Sequence, residues 1–114
     1  MDPVLTDEQR SIAAAARRFA AERIAPGYQN RDRTGVLDRA LVREMGALGL
    51  IAPELPVTVG GHGLDSLTSG LITEAIAYAD INVAYCQILA SLNGKPLVLH
   101  ACECARRAER VGRV

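Results

Sequence analysis

Apolar and polar positions alternate along this chain with the period of a helix. Ile12, Ala15, Ala16, Phe19, Ala20 and Ile24 recur on one stripe, while Arg10, Arg17, Arg18 and Glu22 fall mostly on other faces. Thr6 and Gln9 have the spacing of a capping box, Asp7 and Glu8 suit the positive end of a helix dipole, and Pro26-Gly27 supplies a stop. The pattern predicts a first helix from about Thr6 to Ala25. Tyr28 to Gly35 is polar with turn-prone residues and reads as a surface loop. Leu37, Leu41, Met45 and Leu48 then predict a second helix over about Asp38 to Leu48, with Asp38 as N-cap and Gly49 just past its end.

A third helix starts at Asp65 or Ser66, with Leu67, Leu71, Ala75 and Tyr78 as its apolar stripe, and Asp80 and Asn82 interrupt it. The fourth carries Val83, Tyr85, Ile88, Leu89 and Leu92, apolar on more than one side, as expected of a helix packed on two surfaces. Asn93-Gly94-Lys95-Pro96 reads either as a break or as a kink in a helix that continues through Leu97, Val98 and Leu99. A short basic helix from about Cys104 to Arg110 ends the chain. Only Pro56 to Val59 suggests a strand. The expected fold is all-α, a bundle of about five helices.

Between the second and third helices runs a stretch rich in turn formers, MGALGLIAPELPVTVGGHGLDSLT, from Met45 to Thr68. Pro53 and Pro56 remove backbone donors, and Gly60, Gly61 and Gly63 permit positive φ or close approach. The spacing is neither GxGxxG nor a P-loop, which argues against a phosphate cradle.

Composition narrows the class. The chain has 114 residues, room for one core and one domain. It is 49% apolar, rich in alanine and poor in aromatics, which favours close-packed helices. Thirteen basic and thirteen acidic residues cancel, which argues against a nucleic-acid footprint. Cys86, Cys102 and Cys104 lack disulfide-framework spacing and suggest a reducing, cytoplasmic setting. The N-terminal residues do not resemble a signal peptide, and no run of about 20 apolar residues is present to span a membrane, so a soluble protein is expected.

Candidate chemistry is sparse. His100, Cys102 and Cys104 are metal-capable, but on a helix Cys102 points about 200° from His100 and no fourth ligand is near, so idle or buried thiols are the simpler reading. His62, with Asp65 nearby, is a candidate acid or base set against the commoner case of an exposed loop histidine. Glu74 reads as paired or exposed. Tyr85, Ile88, Leu89 and Leu92 fit a ligand pocket or a core, and spacing alone favours core. There is no nucleophile with an adjacent base and no nucleotide fingerprint.

Taken as words, these stretches carry more. LTDEQRSIAAAARRFAAERIAP, from Leu5 to Pro26, and MGALGLIAPELPVTVGGHGLDSLTSGLITEAIAYAD, from Met45 to Asp80, resemble the N-terminal helical domain of the acyl-CoA dehydrogenase family, and RVGRV at Arg110 to Val114 resembles the end of that domain's last helix. Leu55 to Gly61 departs from the family's usual acidic-aromatic-Gly-Gly lead, and His100 to Cys104 is unusual for the helix end. The resemblance implies α,β-dehydrogenation of an acyl-CoA thioester, with a glutamate taking the α-proton and FAD accepting hydride. It also implies that the glutamate and most of the FAD site belong to a β-domain and a C-terminal domain outside these 114 residues. The chain then has no catalytic residue of its own, does not bind FAD alone, and forms one wall of the acyl pocket through Ala84, Tyr85, Ile88 and Leu92. The alternatives are a non-enzymatic helical module docking on a partner that carries the missing domains and, more remotely, a metal-binding helical protein.

Overall fold

The computed structural model describes residues 4–89, 91–92, 95–96 and 106–107. Helix α1, Asp7–Phe19, opens with the expected capping box: the Gln9 backbone N–H donates to the Thr6 hydroxyl at 3.1 Å and the Thr6 N–H donates to Gln9 Oε1 at 3.0 Å. Gln9 Nε2 reaches on to the Thr68 hydroxyl at 3.3 Å, tying this end of α1 to the start of α4 (Ser66–Ala79).

Pro26 does not end the helical path. The chain continues as a π-helical turn over Ala20–Ile24 and a 3₁₀ turn over Ala25–Gly27, then enters α2, Tyr28–Thr34. A proline ring clashes with the carbonyl four residues back in a regular α-helix, and the widened turn relieves that contact. The expected surface loop from Tyr28 to Gly35 is therefore a short helix, closed by Gly35 at φ 67°. Its residues are polar because α2 buries none of them, so apolar periodicity gave no signal.

Helix α3, Arg39–Ala47, is capped by Asp38, whose carboxylate accepts from the Ala40 N–H at 2.9 Å. It buries Leu41 and Met45, while Leu48 lies exposed past its end. In α4 the predicted stripe is displaced: Thr68, Ile72, Ala75 and Ile76 are buried, and Leu67 and Tyr78 face out, Tyr78 at 96% exposure. The helix is apolar almost all round, so periodicity alone does not choose the face, and the β-branched Ile72 and Ile76 take the core beside Phe19, Ile24, Met45 and Val83.

The predicted fourth helix is the fifth observed, α5, Ile81–Leu89, and it is shorter than expected. Ser91–Leu92 (β1) pairs antiparallel with Lys95–Pro96 (β2) in the register Ser91 with Pro96 and Leu92 with Lys95. The alternative of a kinked helix running through Pro96 is thereby overturned: Asn93-Gly94 has the chemistry of a two-residue hairpin turn. Pro56 to Val59 is not a strand, since Val57–Val59 forms a 3₁₀ turn. Of the predicted last helix, Arg106 and Arg107 are helical, and the remainder, with Leu97 to Leu99, lies outside the described residues. The all-α class holds. The core forms where α1 and its π-helical extension meet α4, with α5 packed against α4.

Asp80 joins the last two helices. Its Oδ1 accepts from the Asn82 N–H at 2.9 Å and its carbonyl from the Ala84 N–H at 3.2 Å, so it ends α4 and caps α5. Its Oδ2 is 2.9 Å from Arg31 Nε of α2, and the two side chains are only 1% and 13% exposed. Arg31 Nη2 also donates to the Ile24 carbonyl. The Arg23–Glu44 pair, at 3.0 Å, is instead 58% and 37% exposed.

Removing one partner of a buried pair strands the other, at a cost of about 3–5 kcal/mol, whereas an exposed pair contributes about 0–1 kcal/mol. Urea denaturation should therefore find Arg31→Ala strongly destabilised and Arg23→Ala close to wild type; equal effects would contradict this ranking. A second expectation concerns pH. Hydrogen bonding from Thr68, side chain first and backbone second, lowers the Asp65 carboxyl below its ordinary 3.8. A depressed carboxyl stabilises the fold above its unfolded value, and that contribution disappears as pH falls through the lower folded value. Thermal unfolding followed from about pH 5 to about pH 2 should show less acid-induced loss in Asp65→Asn, which keeps an acceptor at the cap.

Candidate functional site

Of the four residues expected to form a pocket wall, Ala84 does not share a face with Tyr85 and Ile88. Ala84 is fully buried in the core, on the side of α5 that also buries Val83 and Gln87. Tyr85 and Ile88 lie on the opposite side, 53% and 45% exposed, with Ile81 and Leu89 beside them. Positions 81, 85, 88 and 89 have the i, i+4, i+7, i+8 spacing of a helix stripe, so α5 presents a continuous apolar strip outward. Leu92 belongs to β1, and its side chain lies outside the described residues.

Beneath this helix a line of polar groups runs along α4. Ser69 Oγ donates to Glu54 Oε2 at 3.2 Å, Thr73 Oγ1 lies 3.0 Å from the Ser69 carbonyl, and the same hydroxyl is 2.7 Å from Gln87 Oε1. Gln87 is 2% exposed. Neither Gln87 nor Thr73 was singled out from the sequence. The only signal available was a polar residue interrupting an apolar helix.

The Gly/Pro loop before α4 is closed on itself. The N–H groups of Val59, Gly60, Gly61, His62, Gly63 and Leu64 donate to the carbonyls of Pro56, Val57, Pro56, Pro53, Leu55 and Pro53, at 2.7 to 3.3 Å. A phosphate cradle needs backbone N–H groups pointing at the ligand. Here these six are engaged with carbonyls of the loop itself. Gly61 is buried, and a Cβ there would run into the carbonyl of Leu55. Gly49, at φ 75°, lies against the His62 imidazole, which accounts for His62 as a packing neighbour of the loop. Its pairing with Asp65 as an acid or base is not formed, since Asp65 is engaged at the α4 cap.

Glu74 is exposed on the wall of a groove of about 900 Å³ between the end of α1 and α4, where Ala20, Ala21, Ala25, Ala75, Tyr28 and Tyr78 also line it. This groove lies away from α5. A smaller one of about 340 Å³ lies between α2 and α5 beside Arg31, Asp80 and Cys86. Among the described residues no group of three His, Cys, Asp or Glu is placed to hold a metal ion. His100, Cys102 and Cys104 lie outside them. Among the described residues, no helix is long and apolar enough to cross a membrane.

Sequence comparison decides the family. Residues 6–108 match the model of the acyl-CoA dehydrogenase N-terminal domain. This chain belongs to the acyl-CoA dehydrogenase family. Benzylmalonyl-CoA dehydrogenase of Aromatoleum aromaticum is 38% identical over 94 residues, which cover 82% of this chain and 25% of that protein. A probable mitochondrial medium-chain specific acyl-CoA dehydrogenase 2 of Caenorhabditis briggsae is 35% identical over 74 residues, 65% of this chain and 18% of that protein. The chain therefore spans a quarter or less of these relatives' lengths.

The close approach at Gly61 and the open surroundings of Gly60 make a paired test. Gly60→Ala, at φ 90° with no atom within 4 Å of the new Cβ, should cost only the left-handed backbone penalty, about 1–2 kcal/mol. Gly61→Ala must displace the Leu55 backbone and should lower the thermal midpoint further than Gly60→Ala does. The opposite order would show that the loop does not close as described.

Proposed function

We propose that this chain is the N-terminal α-domain of an FAD-dependent acyl-CoA dehydrogenase and supplies one wall of its acyl pocket. Family membership and the outward strip of α5 support the reading. Apolar side chains 45% to 58% exposed at helical spacing are the surface a neighbouring group would cover. Tyr85 and Ile88 are the facing members of the wall, Ala84 lies behind them in the core, and Leu92 enters from the family resemblance alone. The proton-abstracting glutamate and the FAD site lie in domains outside these 114 residues. FAD, when bound there, accepts the hydride from the β-carbon. The chain by itself is catalytically silent, and its part is to shape and dry the acyl site.

The bulk of Tyr85 and Ile88 favours a short, branched or cyclic acyl group over a long straight chain. The relative named for benzylmalonyl-CoA points the same way, since its named substrate carries a ring. A second reading rests on the same exposed strip: a helical module that docks on a separate chain bearing the β-domain and C-terminal domain. In both readings the partner surface is apolar; in the first the substrate is an acyl-CoA, and in the second the module is itself non-enzymatic.

Joined to those domains, in one chain or as two, the protein should yellow with bound flavin, while the 114 residues alone should lose FAD on desalting. Tyr85→Ala in the assembled enzyme should raise kcat/KM for a long straight-chain thioester relative to a short one by about tenfold, the scale of one or two methylenes in an apolar pocket. An unchanged ratio would remove Tyr85 from the wall.

A further inference from the structure

Helix α5 is rotated against its own hydrophobicity. Its inner face buries Val83, Ala84 and the polar Gln87, while the larger Ile81, Tyr85, Ile88 and Leu89 face outward, 45% to 58% exposed. Apolar burial is non-directional and grows with area, so it does not account for a helix that keeps its smaller, partly polar side inside. The forces that hold the rotation have to be directional.

Two such contacts are present, one toward each end of the helix. At the start, Asp80 accepts the Asn82 N–H and is held by Arg31. About 10 Å further along the axis, at 1.5 Å per residue, Gln87 Oε1 lies 2.7 Å from Thr73 Oγ1. A cap fixes where a helix begins and leaves its rotation to the side chains that follow. The Gln87 contact is off the axis and therefore acts on the rotation. A buried amide that loses its partner carries its full desolvation cost, which opposes turning Gln87 onto an apolar surface. The Thr73 hydroxyl has one hydrogen and two acceptors in reach, Gln87 Oε1 and the Ser69 carbonyl, so it connects α5 to α4 and, through Ser69 and Glu54, to the Gly/Pro loop.

We infer that Thr73 and Gln87 are positioning residues: their hydrogen bond sets the rotation of α5 and so decides that Tyr85 and Ile88, rather than Val83 and Gln87, face the acyl group. The part concerning the acyl group rests on the pocket-wall reading; the part concerning rotation does not.

The test uses the 114-residue chain with fluorotyrosine incorporated, following the fluorine resonances of Tyr28, Tyr78 and Tyr85. Tyr78, at 96% exposure, serves as an internal exposed reference. Thr73→Val removes the hydroxyl at nearly constant volume. The Tyr85 resonance should then lose its solvent-induced shift as the apolar strip turns toward α4, with Tyr78 unmoved. Thr73→Ser keeps the hydroxyl and should restore the wild-type Tyr85 signal, which a purely volume-dependent role for Thr73 does not predict. Thr73→Ala removes the same hydroxyl without added bulk and gives an independent check if the valine variant folds poorly.

In the assembled enzyme, Thr73→Val should also move the long-to-short acyl preference, with Thr73→Ser near wild type. If Tyr85 stays as exposed in Thr73→Val and Thr73→Ala as in the wild type, the inference is overturned whatever the acyl preference does. If Tyr85 turns inward while Tyr85→Ala leaves the preference unchanged, the pocket-wall reading fails and the role of Thr73 and Gln87 in rotation stands.

Discussion

The buried ion pair between Arg31 and Asp80 is the contact on which the arrangement of the helices depends. It joins three places distant in sequence: the Ile24 carbonyl at the end of the π-helical turn, α2, and the junction of α4 with α5. The Arg31 guanidinium reaches these partners by lying across Gly27, where a Cβ would meet Nη1 at 2.5 Å. Gly27 has φ −92°, so its value here is space and not backbone freedom. A well-packed apolar pair often replaces a buried ion pair at no loss of stability. It does not, however, supply an acceptor for the Asn82 N–H or a donor for the Ile24 carbonyl. The pair therefore contributes geometry, and that geometry fixes where α5 begins.

The exposure of α5 is a separate matter, because a cap fixes where a helix begins and not how it is turned. Fully burying one large apolar side chain is favourable by about 1.5–3 kcal/mol, and this helix leaves Ile81, Tyr85, Ile88 and Leu89 about half in water. An outer strip of this kind is costly on a bare surface and ordinary on a domain face that meets another part of the same assembly. The chain spans only 25% and 18% of the lengths of these relatives. The alanine-lined groove between α1 and α4 is a second uncovered apolar surface, and it lies on different elements.

What the sequence made legible was local chemistry with a fixed spacing. The capping box at Thr6 and Gln9, the caps at Asp38 and Asp65, and the break at Asp80 all use short-range hydrogen bonds that depend on a few adjacent residues. The all-α class followed from periodicity. The illegible parts were those decided by partners far along the chain. Helix α2 has no apolar stripe, so nothing local separates it from a loop, and the partner that holds Arg31 is 49 residues away. The buried face of α4 was misassigned because two neighbouring stripes are both apolar, and only packing chooses Ile72 and Ile76 over Leu67 and Tyr78. A break after α5 was visible in the run from Asn93 to Pro96, but the apolar residues around it also fitted a continuing helix, and the pairing of Ser91–Leu92 with Lys95–Pro96 was not foreseen. For the candidate site, family likeness pointed to α5 and gave no sign that Ala84 is buried on the side opposite Tyr85 and Ile88, which depends on the rotation of that helix.

The Gly/Pro loop is shaped by its own hydrogen bonds. Six successive N–H groups from Val59 to Leu64 are consumed by carbonyls of Pro53, Leu55, Pro56 and Val57, and Gly61 is packed where no side chain fits. Those six donors are spent within the loop, so its sequence is constrained by its own closure. Closure holds Leu55 and Ala52 in the core, the latter at φ 46°, a conformation costly for any residue but glycine. It also delivers Asp65 to the start of α4 and Glu54 to Ser69 one turn further on. Ser69 in turn meets Thr73, and Thr73 meets Gln87. The loop is thus tied to α5 through a run of hydrogen bonds that periodicity does not register.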